Sequence, residues 1–326
     1  MLTRHPVLSD LGFIVKTGPL KEAVEEFTRL VQSGQLSMVC YAYPRQGKST
    51  VARHLRNQLT ASGKMVVLWA VIERDVKERD ERGRIWFDLY RGQDRQLTVQ
   101  VGNIYDALFN RTCSEADRLG TDIVLIEIDE AQNLTIEKLA ALKKFVDELR
   151  EHELSPFVLM MAQPEILARP EALKKKLLHD LVDRFFTEMF RLRGVRPEEL
   201  EAILEYYDTT EWPVGSGISY TCHFLMEDWK RGWRLKTQAG AVREEFRKLT
   251  AQVGRGNDEV GMKYVVAAIR GFLVAAKANT DPQVSLDNLL VNAIRRCGLL
   301  QAYAVVGDAE TDARRHRPSK SKGVPA

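Results

Sequence analysis

The segment from Tyr41 to Thr50 constrains the fold of this chain more than any other feature. It reads Tyr-Ala-Tyr-Pro-Arg-Gln-Gly-Lys-Ser-Thr, lies directly after the apolar residues 38–40, and precedes a run with helical spacing. A strand, a glycine-containing loop and a helix in this order place backbone amides around phosphate groups. The sequence therefore predicts a sheet unit that binds a nucleotide at this loop.

The loop matches the phosphate-binding pattern G-x-x-x-x-G-K-[ST] at Gly47, Lys48 and Ser49, with Ala42 in place of the first glycine. In this pattern the lysine neutralises the terminal phosphates and the hydroxyl holds magnesium, so we expect ATP and Mg²⁺ as ligands. A chance Gly-Lys-Ser in an exposed loop is the alternative. The residues predicted to contact the nucleotide are Pro44, Arg45, Gln46, Gly47, Lys48, Ser49 and Thr50.

A second element supports this interpretation. The aliphatic residues Ile123 to Ile128 predict a central strand, and Asp129 and Glu130 follow at its end. We expect Asp129 to bind magnesium together with Ser49, and Glu130 to polarise the attacking water while Lys48 stabilises the phosphate charge. The alternative is a solvated acidic pair at the end of a core strand.

Strand-like and helix-like patterns alternate through the first two thirds of the chain. Apolar runs predict strands at residues 38–42, 65–71, 123–128 and 157–162, and three-and-four spacing predicts helices at residues 20–32, 48–59, 103–119 and 136–150. Such alternation is typical of a parallel sheet with helices on both faces, whose ligands bind at the carboxyl ends of the strands.

From about residue 197 the apolar spacing is helical, most clearly at residues 241–253, 260–278 and 286–297. The predicted organisation is a nucleotide-binding core with an N-terminal helical extension over residues 1–196, a smaller all-helical lid over residues 197–306 and a disordered basic tail over residues 307–326.

Composition excludes little. Hydrophobic residues make up 44% of the sequence, and 48 basic against 45 acidic residues give a net charge of +3, which is too balanced to indicate a nucleic-acid binder by itself. The four cysteines lack C-x-x-C spacing, so we expect reduced thiols. Neither a signal-peptide pattern nor an apolar stretch of membrane-spanning length is found, which predicts a cytoplasmic protein without a membrane segment.

Residues 73–95 are densely charged with both signs around a few aromatic residues, and they precede a strand-like run at residues 97–101. We interpret this segment as a projecting hairpin or loop. DNA contact and a solvated charged loop are equally compatible with it. The basic residues that would contact DNA phosphates are Lys77, Arg79, Arg82, Arg84, Arg91 and Arg95.

Three segments resemble the AAA+ ATPases of transposition, the TnsC and TniB group. They are Asp129-Glu-Ala-Gln-Asn-Leu134, Met161-Ala-Gln-Pro-Glu-Ile166 and Asp183-Arg-Phe185, and the resemblance spans roughly residues 20–200. It implies an AAA+ fold in which Gln163 senses the terminal phosphate and Arg184 reaches a neighbouring subunit's nucleotide. Ala162 stands where that group usually has glycine.

For Arg184, a surface ion pair with Asp183 or Glu188 is the competing interpretation. Lys263 and Arg270 are weak candidates for the second sensor of the lid, because spaced basic residues more often solvate a helix face.

The resemblance implies an ATP hydrolase that forms a homo-oligomer, either a ring or a helical filament, on double-stranded DNA. Its partners would be transposase subunits and a target-selection protein, and ATP hydrolysis would control assembly. Two alternatives stay open: an ATP-switched adaptor without significant hydrolysis, and a secretion-apparatus ATPase similar to ExeA.

Overall fold

The computed structural model describes residues 5–9, 13–73, 81–93, 104–252, 259–281 and 283–302. They belong to two compact units. The sheet unit is Lys16–Gly194, and the helical unit joins Met1–Val15 to Val195–Ala326. The N-terminal residues, which the sequence analysis placed with the nucleotide-binding core, thus belong to the helical unit, because the apolar side chains of Val7, Phe13 and Val15 are buried in its core.

The sheet unit contains five parallel strands in the order β2-β3-β4-β1-β5. Strands β1, β3 and β4 are buried along most of their length, which is typical of a parallel sheet covered by helices on both faces. The predicted fold class is therefore confirmed. The strands are β1 Ser37–Tyr41, β2 Val66–Val71, β3 Ile123–Asp129, β4 Ser155–Ala162 and β5 Met189–Arg191.

Helices connect these strands. They are α1 Gly18–Gln32, α2 Lys48–Ser62, α3 Glu81–Gln93, α4 Ile104–Leu119, α5 Ile136–Glu151, α6 Arg169–Lys175 and α7 His179–Phe185. Local sequence explains their limits: the Thr135 hydroxyl accepts a hydrogen bond from the Lys138 amide at the start of α5, and Gly63 ends α2 in a left-handed conformation.

Helix α3 corrects one expectation. The charged segment after residue 73 does not form a projecting hairpin over residues 81–93, but a helix that packs along the edge strand β2. Its apolar side chains recur with helical spacing and are buried; they are Ile85, Trp86, Leu89 and Tyr90. The strand predicted at residues 97–101 lies outside the described residues.

The close packing of α3 on β2 requires a glycine. A Cβ atom added at Gly92 would lie 1.9 Å from the carbonyl oxygen of Trp69, a distance that no side chain can occupy. Helix α3 therefore covers the exposed edge of the sheet at a separation that only a residue without a side chain allows.

The helical unit contains α8 Leu200–Thr209, α9 Tyr220–Phe224, α10 Met226–Lys230, α11 Ala239–Gln252, α12 Met262–Ala278 and α13 Leu286–Arg295. Its core includes a group of aromatic rings around His5, whose ring stacks on that of His223 at 4.4 Å between centroids. None of the helices in the described part of the chain has the length and apolar character needed to cross a bilayer.

Candidate nucleotide site

The loop between β1 and α2 is the segment in which the sequence predicts phosphate binding. Gly47 has a φ of 110°, a conformation that residues with a side chain rarely adopt. A Cβ atom added there would meet no other atom within 4 Å. Glycine is therefore favoured by its backbone freedom and not by lack of space. Inside the loop, the Tyr43 amide donates a hydrogen bond to Oε1 of Gln46 at 3.0 Å.

Lys48 is the first residue of α2, and its side chain is 8% exposed. Its ammonium group donates a hydrogen bond to the Ala42 carbonyl oxygen at 2.9 Å. Burial lowers the pKa of Lys48, while the nearby carboxylates of Glu130 and Asp129 act in the opposite direction. The lysine is therefore held beside the loop, where phosphate oxygens would give its charge a partner.

Ser49 and Asp129 bring a hydroxyl group and a carboxylate together across the gap between α2 and β3. The Ser49 hydroxyl lies 3.3 Å from Oδ2 of Asp129 and donates a hydrogen bond to it. Burial, and secondarily the charge of Glu130, raise the pKa of Asp129. Two oxygen ligands beside a second carboxylate fit a magnesium ion, because its charge would offset the negative charges of the two side chains.

Glu130 follows β3 in a left-handed conformation with a φ of 55°, and its amide donates a hydrogen bond to Oδ1 of Asp129 at 2.8 Å. Oε2 of its carboxylate accepts hydrogen bonds from the side-chain amides of Gln132 and Gln163, the latter at 3.1 Å. Oε1 of Gln132 in turn accepts a hydrogen bond from the Gln163 backbone amide at 2.9 Å. The carboxylate orientation is therefore fixed by two glutamines.

Strand order accounts for this convergence. Asp129 ends β3, Gln163 follows the adjacent β4, and the loop of residues 42–47 follows β1 on the other side of β4. The carboxyl ends of parallel strands meet at one edge, so three distant segments meet there. The sequence analysis included Gln132 in a segment that resembles the TnsC and TniB group but gave it no role in the site.

Comparison with known proteins identifies this arrangement. Residues 31–169, which contain Lys48, Asp129, Glu130 and Gln163, match the family model described as an AAA domain. This part of the chain is an AAA+ ATPase domain. A search of the curated proteins found no significant match.

Solved structures resemble the chain over most of its length. The ORC2 protein of Aeropyrum pernix, in ADPNP and ADP complexes, is 16% identical and has a TM-score of 0.55, covering 90% of this chain and 71% of that one. Domain III of the replication initiation protein DnaA from Thermotoga maritima is 14% identical, with a TM-score of 0.46 and coverage of 89% and 94%. Drosophila ORC bound to DNA is 10% identical, with a TM-score of 0.48 and coverage of 94% and 69%. At 16% identity, the similarity to the Aeropyrum pernix ORC2 protein shows a shared fold.

Arg184 does not join the nucleotide residues of its own ATPase domain. It lies on α7, and its guanidinium group makes an ion pair with Asp147 of α5 at 2.6 Å, with 17% of the side chain exposed. Its backbone carbonyl accepts a hydrogen bond from the Ser37 hydroxyl at 3.0 Å. The partner is thus Asp147 and not Asp183 or Glu188, the two partners considered from the sequence.

The basic residues considered for DNA contact have different surroundings. Arg84 makes an ion pair with Asp88 at 3.2 Å and lies over the Phe87 ring, whereas Arg91 is exposed at the end of α3. Residues Lys77, Arg79 and Arg95, and the side chain of Arg82, lie outside the described residues, as does the basic tail.

The two lid candidates lie on α12 of the helical unit. Lys263 is exposed, whereas Arg270 is half-buried and donates a hydrogen bond to the Ser9 carbonyl oxygen at 3.5 Å. Arg270 thus links α12 to the N-terminal segment within the same unit.

Proposed function

We propose that this AAA+ ATPase regulates DNA transposition: it oligomerises on target duplex DNA, ATP hydrolysis controls its assembly, and it links a target-selection protein to the transposase. The observation that carries the proposal is the hydrogen-bonded group of Glu130, Gln132 and Gln163. This group joins two of the three segments that resemble the TnsC and TniB group. The segments that carry the resemblance therefore contribute side chains to the candidate nucleotide site.

The chemistry proposed for the site follows from the positions of its side chains. Lys48 and the backbone amides of residues 45–49 bind the phosphates of ATP, and Ser49 and Asp129 would hold magnesium. Bound magnesium would neutralise charge on the phosphate oxygens. Glu130 orients the attacking water and accepts its proton, while Gln163 contacts the terminal phosphate from the end of β4.

Assembly-controlled hydrolysis is supported by the surroundings of Arg184. Within one chain its guanidinium group is paired with Asp147 and not placed at the nucleotide. Transition-state charge on the phosphates needs a further cation, and AAA+ assemblies supply it from a neighbouring subunit. We propose that Arg184 has this role, so that a single chain hydrolyses ATP slowly and an assembled chain hydrolyses it faster.

Duplex binding is assigned to many weak phosphate contacts distributed over an assembly, because a net charge of +3 per chain is modest. Arg91 is the exposed member of the proposed contacts within the described residues of α3. Removing the Arg84 side chain would also break its ion pair with Asp88 within α3.

Electron microscopy of the purified protein with duplex DNA and a non-hydrolysable ATP analogue tests the proposal. Rings or filaments on the duplex, requiring both the analogue and DNA, are expected. The Lys48→Ala protein is the control and should remain unassembled. Wild-type protein that binds the analogue but never assembles on DNA would contradict the proposal and favour the adaptor alternative.

The salt dependence of duplex binding identifies the surface. Arg91→Ala should weaken binding to all sequences about equally and flatten the slope of affinity against salt, since phosphate contacts carry no base information. ATP affinity should stay at the wild-type value. An unchanged slope would remove Arg91 from the DNA surface.

A further inference from the structure

A second contact joins α2 to β3 away from the residues described so far. Arg56 lies on α2, and its Nη2 atom is 3.3 Å from Oε1 of Glu127 on β3. The Glu127 side chain is 1% exposed. A charged pair of this kind inside a sheet unit is unusual, because strand residues covered by helices are generally apolar.

Trp69 completes the contact. It lies directly opposite Glu127 in the register of β2 and β3, and the Arg56 guanidinium group lies over its ring at 4.1 Å from the centroid. On the outer side of β2, Gly92 of α3 approaches the Trp69 carbonyl oxygen. Arg56 therefore contacts two strands at once, and the strand residue that it covers also packs closely against Gly92 of α3.

Stability does not account for this pair. Among the described residues, Oε2 of Glu127 and Nε of Arg56 have no hydrogen-bond partner. Burying charged groups with incomplete partners costs free energy, and apolar residues of similar volume in such places are often as stable or more stable. A function other than stabilisation would account for the charged pair.

The position of the pair indicates that function. Arg56 follows Ser49 by two helical turns and so lies on nearly the same face of α2, and Glu127 precedes Asp129 by two residues on the same face of β3. The same helix and strand are thus joined twice, by Arg56 with Glu127 and by Ser49 with Asp129. Two contacts prevent the helix from rotating or sliding along the strand.

We propose that Arg56 and Glu127 are positioning residues of the ATPase: their ion pair, in which Glu127 is buried and Arg56 partly buried, fixes α2 against β3, so that Ser49 and Asp129 keep the separation that magnesium needs. The proposal depends on the ATPase domain and not on the DNA-related function. The pair touches neither nucleotide nor metal and acts through the two elements that carry the ligands.

The test replaces both charges by apolar side chains of similar length, Arg56→Met together with Glu127→Met. Four quantities are measured: the melting temperature, the Kd of a fluorescent ATP analogue without divalent cation, the affinity for Mn²⁺ from its electron paramagnetic resonance signal in the presence of nucleotide, and kcat. We expect a melting temperature equal to or above that of wild type. The metal-free Kd should change by less than about twofold, while Mn²⁺ affinity and kcat each fall by at least about tenfold.

Wild-type Mn²⁺ affinity and kcat in a folded double variant would overturn the proposal. If the double variant does not fold, Arg56→Lys decides, because lysine keeps the charge but loses the planar group that lies on Trp69. Reduced Mn²⁺ affinity with a retained metal-free Kd supports the proposal, and Mn²⁺ affinity and kcat equal to those of wild type overturn it.

A matched control is the ion pair between Arg193 and Glu22 at 2.6 Å, which also lies within the sheet unit but joins neither α2 nor β3. Its double methionine variant should keep wild-type Mn²⁺ affinity and kcat. An equal loss of Mn²⁺ affinity in this control would show a general loosening of the unit and would overturn the specific role of Arg56 and Glu127.

Discussion

Lys48 is a cation with little access to water, whose charge is balanced by the Ala42 carbonyl and two carboxylates. Lys48→Ala should lower ATP affinity by at least about 100-fold, because the phosphates lose their main cationic partner. The melting temperature should not fall, since the variant also removes a partly desolvated charge. Isothermal titration with ATP checks the first expectation and a thermal melt the second. ATP affinity equal to that of wild type would remove the phosphate-binding role.

Glu130 is held by the amides of Gln132 and Gln163, so Glu130→Gln keeps the size of the side chain but loses the carboxylate. We expect the Kd for ATP to stay within about threefold of wild type and kcat to fall by about 100-fold or more, because the group that accepts the proton of water is missing. Single-turnover hydrolysis measures this. Turnover at the wild-type rate would exclude Glu130 as the base.

His5 makes the helical unit sensitive to acid. Burial, together with the charges of His223 and Lys277, lowers the pKa of His5 to about 4 from a usual value of 6.5. The unfolded chain therefore binds a proton more readily than the folded chain, so the free energy of unfolding is constant above about pH 6.5 and falls as pH decreases toward 4.

Urea denaturation of the wild-type protein is measured at pH 7 and at pH 5. The free energy of unfolding of the helical unit should be lower at pH 5 by an amount on the order of 1–2 kcal/mol. His5→Phe keeps an aromatic ring and cannot be protonated, so its loss over the same interval should be smaller. Equal losses in both proteins would show that His5 does not cause the dependence.

At the residue scale, the sequence singled out Lys48, Ser49, Asp129 and Gln163, because their positions follow directly from the order of strand, loop and helix. The structure brings these side chains together at one edge of the sheet, and their roles toward ATP and magnesium stay predictions. Side-chain pairing could not be predicted: Arg184 contacts Asp147, 37 positions earlier in the chain, and this contact depends on how α5 packs against α7. The ion pair of Glu127 could not be predicted either, because this residue lies in an aliphatic run that indicates only a buried strand. Burial raises the pKa of Glu127 to about 7.

At the scale of elements, helix α3 shows why a high content of charged residues does not by itself indicate a loop. Acidic and basic residues dominate residues 73–95, yet four apolar residues at helical spacing are enough to bury one face on β2. Residues of both signs on the remaining faces are compatible with a helix as well as with a loop. Strands β1 to β4 and helices α1, α2, α4 and α5 were predicted, because long aliphatic runs and sustained helical spacing indicate one type of element. The shorter elements α6, α7 and β5 were not predicted.

Gly92→Ala provides a test of this packing. Alanine normally stabilises a helix relative to glycine by about 0.5–1 kcal/mol, but here its Cβ atom would collide with the Trp69 carbonyl oxygen. We expect a loss of about 1–3 kcal/mol in the free energy of unfolding, as for an overpacked core. Chemical denaturation followed by tryptophan fluorescence measures it.

Gly271→Ala is the matched control for this variant. Gly271 is exposed in the middle of α12, and its added Cβ atom would meet the nearest atom, Cβ of Ala293, at an ordinary 3.8 Å. This variant should be more stable than wild type. Stabilisation of both variants would mean that α3 does not pack closely on β2.

At the scale of the whole molecule, Arg184→Ala distinguishes action within one chain from action between chains. If Arg184 serves a neighbouring subunit, the variant should bind ATP normally and hydrolyse it at least about tenfold more slowly when assembled. The variant is then mixed with the Lys48→Ala protein, whose own nucleotide site should be largely empty but which carries an intact Arg184. Activity should partly return, because the Arg184→Ala chains keep a functional nucleotide site. Mixed oligomers without any recovery of hydrolysis would exclude action between subunits.

Membership of the N-terminal segment was not predictable from local patterns. Val7, Phe13 and Val15 form no periodic run, and their partners in the helical unit, such as Tyr207 and Tyr220, lie about 200 positions later. Only the folded chain reveals that the sheet unit is inserted, in sequence, into the helical unit.

This insertion imposes an order on folding during protein synthesis. The residues around Val7 leave the ribosome before the sheet unit, but their core does not exist until α8 to α13 have been translated. During that interval the nascent chain can complete its five-stranded sheet while an apolar N-terminal segment remains without a partner. Bringing the N-terminal segment to helices α8 to α13 costs little more conformational entropy once the sheet unit between them has folded. A folded sheet unit holds its own first and last residues at a fixed separation. Early folding of the sheet would then prepare the late closure of the unit that surrounds it in sequence.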